Sequence, residues 1–178
     1  MKAVFLDREG TLIVEPYDQV LDSVEKVYLI NDTIEALRKI AELDYTVFLI
    51  INENGLAQQR VSQEQFQSVN ARLLELLAPS GIKIEKIYYC PHPPAEGCGC
   101  RKPRPGMIKK AMEEYPIEIS ESWVIGDKLQ HAGLGKAVGA QTILIDRDGR
   151  YGEGTADYIV SSLGEAAQVI ASPVSNQY

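Results

Sequence analysis

Two acidic residues that follow apolar runs indicate a site for a cation. The run that starts at Lys2 ends at Asp7, with a second acid at Glu9, and a later run ends at Asp127. If both runs are strands of one parallel sheet, the two aspartates share a crevice, because ligands bind outside the carboxyl ends of such strands. Carboxylate oxygens at this edge would bind a hard cation such as Mg²⁺.

The same region could also transfer a phosphoryl group. An aspartate such as Asp7 can accept the group as an aspartyl-phosphate, but an anionic nucleophile approaches an anionic phosphate only when cations are nearby. Lys102, flanked by Arg101 and Arg104, is the candidate for this cation. For each residue taken alone, the simpler interpretation is a loop-capping aspartate or a solvated lysine.

A cluster of thiols and one imidazole predicts a zinc site. All three cysteines lie between residues 90 and 100, and their odd number and close spacing disfavour a disulfide framework. A Cys₃His set fills a tetrahedral Zn²⁺ site, which would be structural because no position is left for water. Three ordinary buried thiols are the alternative. The predicted ligands, which would hold Arg101 and Lys102 in place, are Cys90, His92, Cys98 and Cys100.

Strand and helix patterns alternate along the chain. Two of the predicted helices begin with a capping-box pattern, at Asp32 and at Ser62. The alternation predicts an α/β fold of three layers (α/β/α), Rossmann-like, with a parallel sheet covered by helices on both faces. We expect a single domain over residues 1–171 and a frayed tail over 172–178. The predicted strands are 2–7, 45–51, 86–89, 122–127, 141–146 and 157–160, and the predicted helices are 32–43, 62–77, 107–115 and 162–171.

The composition restricts the class of protein. The formal net charge is −7 and the pI is near 4.9, which argues against a general nucleic-acid binder. The first residues lack the pattern of a signal peptide, and the longest later apolar run, Val47 to Ile51, is too short to cross a bilayer. We therefore expect a cytoplasmic protein that acts on a small molecule, with no nucleic-acid or membrane partner. No heptad pattern or obvious exposed apolar stripe is visible in the sequence, and we expect a monomer.

Four stretches of the sequence together resemble a known family of enzymes. They are FLDREGTL, FLIINENGLA, CPHPPAEGCGCRKPRPGM and WVIGDKLQ, in this order along the chain. The chain is similar to the haloacid dehalogenase (HAD) superfamily, and within it to the zinc-containing D-glycero-D-manno-heptose 1,7-bisphosphate and histidinol phosphate phosphatases. The resemblance implies a HAD-like fold without a large cap domain, a catalytic Mg²⁺ and a structural Zn²⁺.

The resemblance also implies roles for individual residues. Asp7 would be the nucleophile and a Mg²⁺ ligand, and Asp127 would complete the Mg²⁺ site. Glu9 would be the general acid/base and would ligate Mg²⁺ through its backbone carbonyl. Lys102 would stabilise the phosphoryl group, Arg101 would recognise the substrate, and Lys128 would contact it.

Three positions depart from the family pattern. Glu9 replaces an aspartate, so its carboxyl group lies one methylene farther from the backbone, and Ile51 replaces a hydroxyl residue that would bind the phosphoryl group. Contacts from Asn52, Asn54 and nearby backbone N–H groups could substitute for that hydroxyl. His131 replaces a second acid that contacts metal-bound water, and the alternative for it is a partly exposed position on a helix.

The predicted activity is Mg²⁺-dependent hydrolysis of a small sugar phosphate through an aspartyl-phosphate. By resemblance, the preferred substrate is heptose 1,7-bisphosphate, which would lose its 7-phosphate, and histidinol phosphate or a generic sugar phosphate is the alternative. The departures at Glu9, Ile51 and His131 leave open a catalytically impaired protein that binds phosphate without turnover. Hydrolysis of polynucleotide 3′-phosphates is disfavoured by the acidic charge of the chain.

Overall fold

The described residues contain one parallel β-sheet. The structure, a computed structural model, describes residues 1–172, so the tail expected over 172–178 lies, from residue 173 onward, outside the described residues. The strands are β1 (Lys2–Leu6), β2 (Tyr45–Asn52), β3 (Ile84–Cys90), β4 (Trp123–Gly126), β5 (Gln141–Ile145) and β6 (Tyr158–Val160). Their order is β3-β2-β1-β4-β5-β6, and every neighbouring pair is parallel.

Helices cover both faces of this sheet. Those of the described residues are α1 (Thr33–Glu42), α2 (Asn54–Ala57), α3 (Gln63–Leu77), α4 (Gly106–Glu114), α5 (Leu129–Val138) and α6 (Leu163–Ala171). Side chains of α1, α3 and α6 pack in one hydrophobic cluster, and those of α4 and α5 pack in a second cluster on the other face. The predicted three-layer α/β/α fold is confirmed. None of the described helices is long and apolar enough to cross a membrane.

The two predicted capping boxes have different outcomes. At the start of α3, the Ser62 hydroxyl accepts from the Gln65 N–H at 3.1 Å, and the Gln65 side chain accepts from the Ser62 N–H at 2.8 Å. The capping box predicted at Asp32 is wrong, because the Asp32 side chain makes no capping bond to α1. Its carboxylate instead accepts from the Gly164 N–H at 2.7 Å, at the start of α6. This tertiary contact joins the two helices, which pack side by side.

Two helices are absent from the sequence prediction, the short α2 and the longer α5. Helix α5 lacks a clear apolar stripe because small residues bring its backbone close to the sheet. A Cβ atom at Gly135, for example, would lie 2.3 Å from the side chain of Thr142. Helix α5 begins two residues after Asp127 and carries His131, so its position decides the surroundings of both residues.

The strand order brings the two predicted aspartates together. Strand β1 is paired with β4, with Leu6 opposite Ile125, and the Asp7 N–H donates to the Ile125 carbonyl at 3.2 Å. Asp7 and Asp127 therefore follow neighbouring strands at the same edge of the sheet, as the sequence predicts. Strand β2, which ends at Asn52, borders β1 on its other side.

Two adjacent leucines of α3 test the packing of this helix on the sheet. Leu73 is fully buried, whereas Leu74 is 39% exposed. Leu73→Ala leaves a cavity, so we expect the free energy of unfolding to fall by about 2–5 kcal/mol. Leu74→Ala should lower it by less than about 1 kcal/mol. Urea unfolding followed by circular dichroism measures both values, and equal effects would contradict the observed orientation of α3.

Candidate active site

A polar cleft of about 480 Å³ lies at the carboxyl edge of the sheet. Its volume is within the range of small-molecule binding sites. The cleft is lined mainly by residues from the loops that follow the strands, as expected for a parallel sheet. Seven of the predicted site residues line it, namely Asp7, Glu9, Asn52, Asn54, Arg101, Lys102 and Lys128.

Asp7 forms a buried ion pair with Lys102. The Lys102 Nζ donates to Asp7 Oδ1 at 2.7 Å, and the side chain of Lys102 is fully buried. The same ammonium group also contacts the Ile50 carbonyl oxygen at 2.6 Å and His131 Nε2 at 2.9 Å. The ammonium group therefore has two oxygen acceptors and one imidazole contact, which fix it beside the predicted nucleophile.

The charges of this pair control the protonation of Asp7. Burial alone would raise the pKa of the Asp7 carboxyl group, but the charge of Lys102 and the contact with His131 outweigh burial and hold the pKa well below its usual range. Burial lowers the pKa of Lys102, while the Asp7 carboxylate opposes this shift. Asp7 therefore remains an ionised carboxylate, which is the form that can attack phosphorus.

Asp127 supplies a buried carboxylate oxygen that has no partner among the described residues. This atom is Oδ1, while Oδ2 lies 3.6 Å from the Lys128 ammonium group. Burial raises the pKa of Asp127, and Lys128 counteracts this effect. A Cβ atom at Gly10, whose φ is +74°, would lie 2.3 Å from Asp127 Oδ2, so glycine leaves room for the carboxylate. An unpaired buried carboxylate oxygen fits a divalent cation.

The potential metal ligands of Asp7, Asp127 and His131 converge. One ligand atom from each residue lies within 4.8 Å of the others, and all three residues are buried. The alternative of a partly exposed histidine at position 131 is wrong, because His131 is fully buried. Gly126 makes this possible, since a Cβ atom there would lie 2.3 Å from the imidazole ring.

The carboxylate of Glu9 is bound by the arginine that precedes it in the sequence. Glu9 Oε1 accepts from Arg8 Nε at 2.9 Å and from Arg8 Nη2 at 2.5 Å. Arg8 is itself fully buried, and its other contacts are Glu53 at 2.7 Å and Asn70 at 2.7 Å. This group of four side chains, which we call the Arg8 clamp, is buried except for Glu9, and it holds Glu9 at the wall of the cleft.

The Arg8 clamp was not predicted from the sequence. The available signal was an arginine between two acids in the segment DREG, since a charge beside a buried strand requires a partner. The second carboxylate, Glu53, comes from the loop after β2, where it also accepts from the Gly55 N–H at 3.1 Å. Only the tertiary structure brings Glu53 and Asn70 to the guanidinium group.

The residues around Ile51 have separate functions in the structure. The Ile51 side chain is buried in the hydrophobic cluster that faces α1, α3 and α6. Asn52 instead contacts the backbone of Lys102, since its Oδ1 accepts from the Lys102 N–H at 2.9 Å and its Nδ2 donates to the Lys102 carbonyl at 3.2 Å. Asn54 accepts from Arg101 Nη2 at 2.6 Å. Both asparagines therefore position cations of the cleft.

The three cysteines and His92 converge as predicted. Cys90 Sγ lies 3.4 Å from Cys98 Sγ and 3.6 Å from His92 Nδ1, and Cys100 Sγ lies 3.5 Å from Cys98 Sγ and 3.2 Å from His92 Nδ1. All three thiols are free. A tetrahedral Zn²⁺ with Zn–S bonds of about 2.3 Å places sulfur atoms about 3.8 Å apart, so small adjustments suffice and the set fits zinc.

The cysteine loop is connected to the cleft by Arg101. Its Nη1 donates to the His92 carbonyl at 3.1 Å, in addition to the bond with Asn54. Lys128 lies in a different loop, the one that follows β4, and its Nζ donates to Glu15 at 3.1 Å. Two further arginines line the cleft that were not among the predicted site residues, Arg60 after α2 and Arg150 after β5.

Comparison with known proteins identifies relatives over nearly the whole chain. A D-glycero-β-D-manno-heptose-1,7-bisphosphate 7-phosphatase of Yersinia pestis is 32% identical over 94% of both chains. The protein of the same name from Escherichia coli K12 is 31% identical over 94% of this chain and 93% of its own. A bifunctional histidine biosynthesis protein HisB of Legionella pneumophila is 35% identical, but over 71% of this chain and 36% of its own length.

A solved structure and a family model point to the same family as these relatives. A D,D-heptose 1,7-bisphosphate phosphatase from B. bronchiseptica, complexed with magnesium and phosphate, is 25% identical with a TM-score of 0.85, over 96% of this chain and 98% of its own. The HAD-hydrolase-like family model matches residues 99–166. The chain is thus a hydrolase that belongs to the HAD family, together with the heptose bisphosphate phosphatases.

Proposed function

We propose that this protein is a Mg²⁺-dependent phosphatase that removes the 7-phosphate from D-glycero-D-manno-heptose 1,7-bisphosphate. The observation that carries this proposal is the buried, ionised Asp7 beside Lys102, at the carboxyl edge of the sheet and next to the unpaired oxygen of Asp127. The relatives of the same name support the choice of substrate. We further propose that it acts as a cytoplasmic monomer of one domain, without a nucleic-acid partner.

Each reactive side chain has a defined role in the proposed reaction. An Asp7 carboxylate oxygen attacks phosphorus, the bond from phosphorus to the sugar oxygen breaks, and Glu9 gives a proton to that oxygen. Glu9 then takes a proton from the water that hydrolyses the aspartyl-phosphate. Lys102 compensates the negative charge of the phosphoryl oxygens. A Mg²⁺ ion held by Asp7, Asp127 and the Glu9 carbonyl would supply further charge stabilisation.

The cations of the cleft favour a bisphosphate over histidinol phosphate. Arg60, Arg101, Lys128 and Arg150 line the cleft in addition to Lys102. Four carboxylates line the cleft as well, those of Asp7, Glu9, Glu15 and Glu53, so the cations exceed the anions by one. The cations that do not hold the reacting phosphoryl group would attract a second phosphate group. We propose that Arg101 and Lys128 contact the substrate, with Asn54 as the positioning partner of Arg101 and Asn52 as that of Lys102.

The Cys₃His set supports a structural Zn²⁺ ion in this protein. Its four ligands leave no position for water, and the set directly precedes Arg101 and Lys102 in the sequence. The ion would supply a rigid attachment for a loop that otherwise has few buried apolar residues. We propose that zinc acts on catalysis only by holding these two cations at the cleft.

Phosphate release from defined substrates tests the proposed activity. We expect Mg²⁺-dependent release that is fastest with heptose 1,7-bisphosphate and slower with histidinol phosphate and an aryl phosphate. Asp7→Asn removes the nucleophile, so kcat should fall by at least about 10⁴-fold. Asp18→Asn is the matched control, since Asp18 is exposed and contacts Lys26, and it should retain the activity.

Three outcomes would contradict this assignment in whole or in part. Equal activity of the Asp7→Asn variant would exclude the aspartyl-phosphate route. Absence of release from all three substrates, with activity gained in Glu9→Asp, would indicate a protein that binds phosphate but has a disabled acid/base. A preference for histidinol phosphate would overturn the substrate but keep the reaction.

Zinc content tests the proposed structural site. Cys98→Ser removes one thiolate ligand, so we expect the zinc content to fall from about one equivalent to well below it. Because the loop carries Arg101 and Lys102, kcat/KM should fall as well. Glu96→Gln is the control, since Glu96 lies 3.7 Å from His92 Nε2 but is not a ligand. Full zinc content in Cys98→Ser, measured by atomic emission, would contradict the proposal.

The Arg8 clamp can be tested by unfolding. Arg8→Met leaves the buried carboxylate of Glu53 without its cation, so we expect the free energy of unfolding to fall by about 3–5 kcal/mol. Addition of Glu53→Gln should recover part of this loss. Arg72→Met is the control, because the Arg72–Glu75 pair is exposed and such pairs contribute less than about 1 kcal/mol. Equal losses in urea unfolding would contradict the clamp.

A further inference from the structure

We propose that His131 is a direct ligand of the catalytic cation, through its Nε2 atom. The centre would then have mixed nitrogen and oxygen ligands, and would favour Mn²⁺ over Mg²⁺ more strongly than an all-oxygen centre does. The proposal deepens the proposed function and rests on it, since it concerns the same cation. The relevant ligand atoms come from Asp7, Asp127 and His131, which converge within 4.8 Å.

The distance between two of these atoms is that of neighbouring metal ligands. His131 Nε2 lies 2.9 Å from Asp7 Oδ2. In an octahedron with bonds of about 2.1 Å, adjacent ligand atoms are about 3.0 Å apart. The two side chains are therefore already spaced to bind one ion. The unpaired Oδ1 of Asp127 provides an independent sign of a missing cationic partner.

The contacts of the imidazole ring point Nε2 at the cleft. Nε2 lies 2.9 Å from the Lys102 ammonium nitrogen and 2.9 Å from Asp7 Oδ2. Nδ1 faces the backbone of Lys128 instead, 2.9 Å from its carbonyl oxygen and 3.2 Å from its nitrogen. Backbone groups often hold the second ring nitrogen of a metal-binding histidine in this way, so Nε2 is the atom that can reach a cation.

A cation bound at Nε2 would replace the contact of this atom with Lys102, because an imidazole nitrogen has a single lone pair. Lys102 would keep its contacts with Asp7 Oδ1 and with the Ile50 carbonyl oxygen. The glycine at position 126 leaves space for the His131 ring, because a Cβ atom there would collide with the ring.

The nature of the ligands predicts the metal preference. Carboxylate and carbonyl oxygens suit Mg²⁺, whereas imidazole is a better ligand for transition metals. With His131 as a ligand, Mn²⁺ should bind more tightly relative to Mg²⁺ than it does in His131→Asp. We expect the ratio of the two Kd values to change by at least about 10-fold between native protein and variant.

Pulsed EPR of bound Mn²⁺ tests the ligation without any turnover. The full chain, with zinc already bound at the cysteine loop, is titrated with Mn²⁺, and modulation from a directly bound nitrogen is recorded after ¹⁵N labelling of histidine. We expect the nitrogen signal in the native protein. It should persist in His92→Cys, which removes the only other histidine while keeping four zinc ligands, and should vanish in His131→Asp.

Each outcome decides the proposal separately from the phosphatase activity. Bound Mn²⁺ without nitrogen modulation in the native protein would overturn the ligation, as would loss of the signal in His92→Cys. The native and His92→Cys measurements suffice if His131→Asp does not fold. A nitrogen signal in a protein that releases no phosphate would support the ligation and contradict the proposed function, whereas release without the signal would do the opposite.

Discussion

A buried ion pair joins Asp7, at the end of the central strand, to Lys102 in the loop after β3. Removal of both charges from water costs several kcal/mol per ion, which only close attraction and complete hydrogen bonding can offset. The structure meets this condition, because the ammonium group donates to Asp7 and to the Ile50 carbonyl oxygen and also contacts the His131 ring. The other parts of the site serve to bring these two groups together and to keep water from separating them.

The loop that carries Lys102 is held from two directions. Asn52, at the end of β2, binds the backbone N–H and carbonyl groups of Lys102, and the cysteine cluster lies just before Arg101 in the sequence. The proposed zinc ion would act through this second attachment. A site whose main cation comes from a loop needs such rigid contacts, since a displacement of about 1 Å strongly reduces catalysis.

The three departures from the family pattern have different physical consequences. Ile51 fills the hydrophobic cluster and leaves any phosphate contact to its neighbours. One carboxylate oxygen of Glu9 accepts two hydrogen bonds from Arg8, which couples Glu9 to the Arg8 clamp. His131 places an imidazole nitrogen beside the nucleophile. Glu9 and His131 therefore make polar contacts within the site, whereas Ile51 contributes only to the apolar core.

Local sequence determined much of the architecture. Apolar runs and helical spacing are local properties, so the strands, four helices and the three-layer class could be predicted, as could the convergence of Asp7 with Asp127 and of the cysteines with His92. Helix α5 was not predicted, because its small residues leave no clear hydrophobic periodicity. The bond from Asp32 to Gly164, the Arg8 clamp and the full burial of His131 were decided only by tertiary structure. Each joins residues that are far apart in sequence or depends on the space left by a glycine, and local patterns contain no information about such distances.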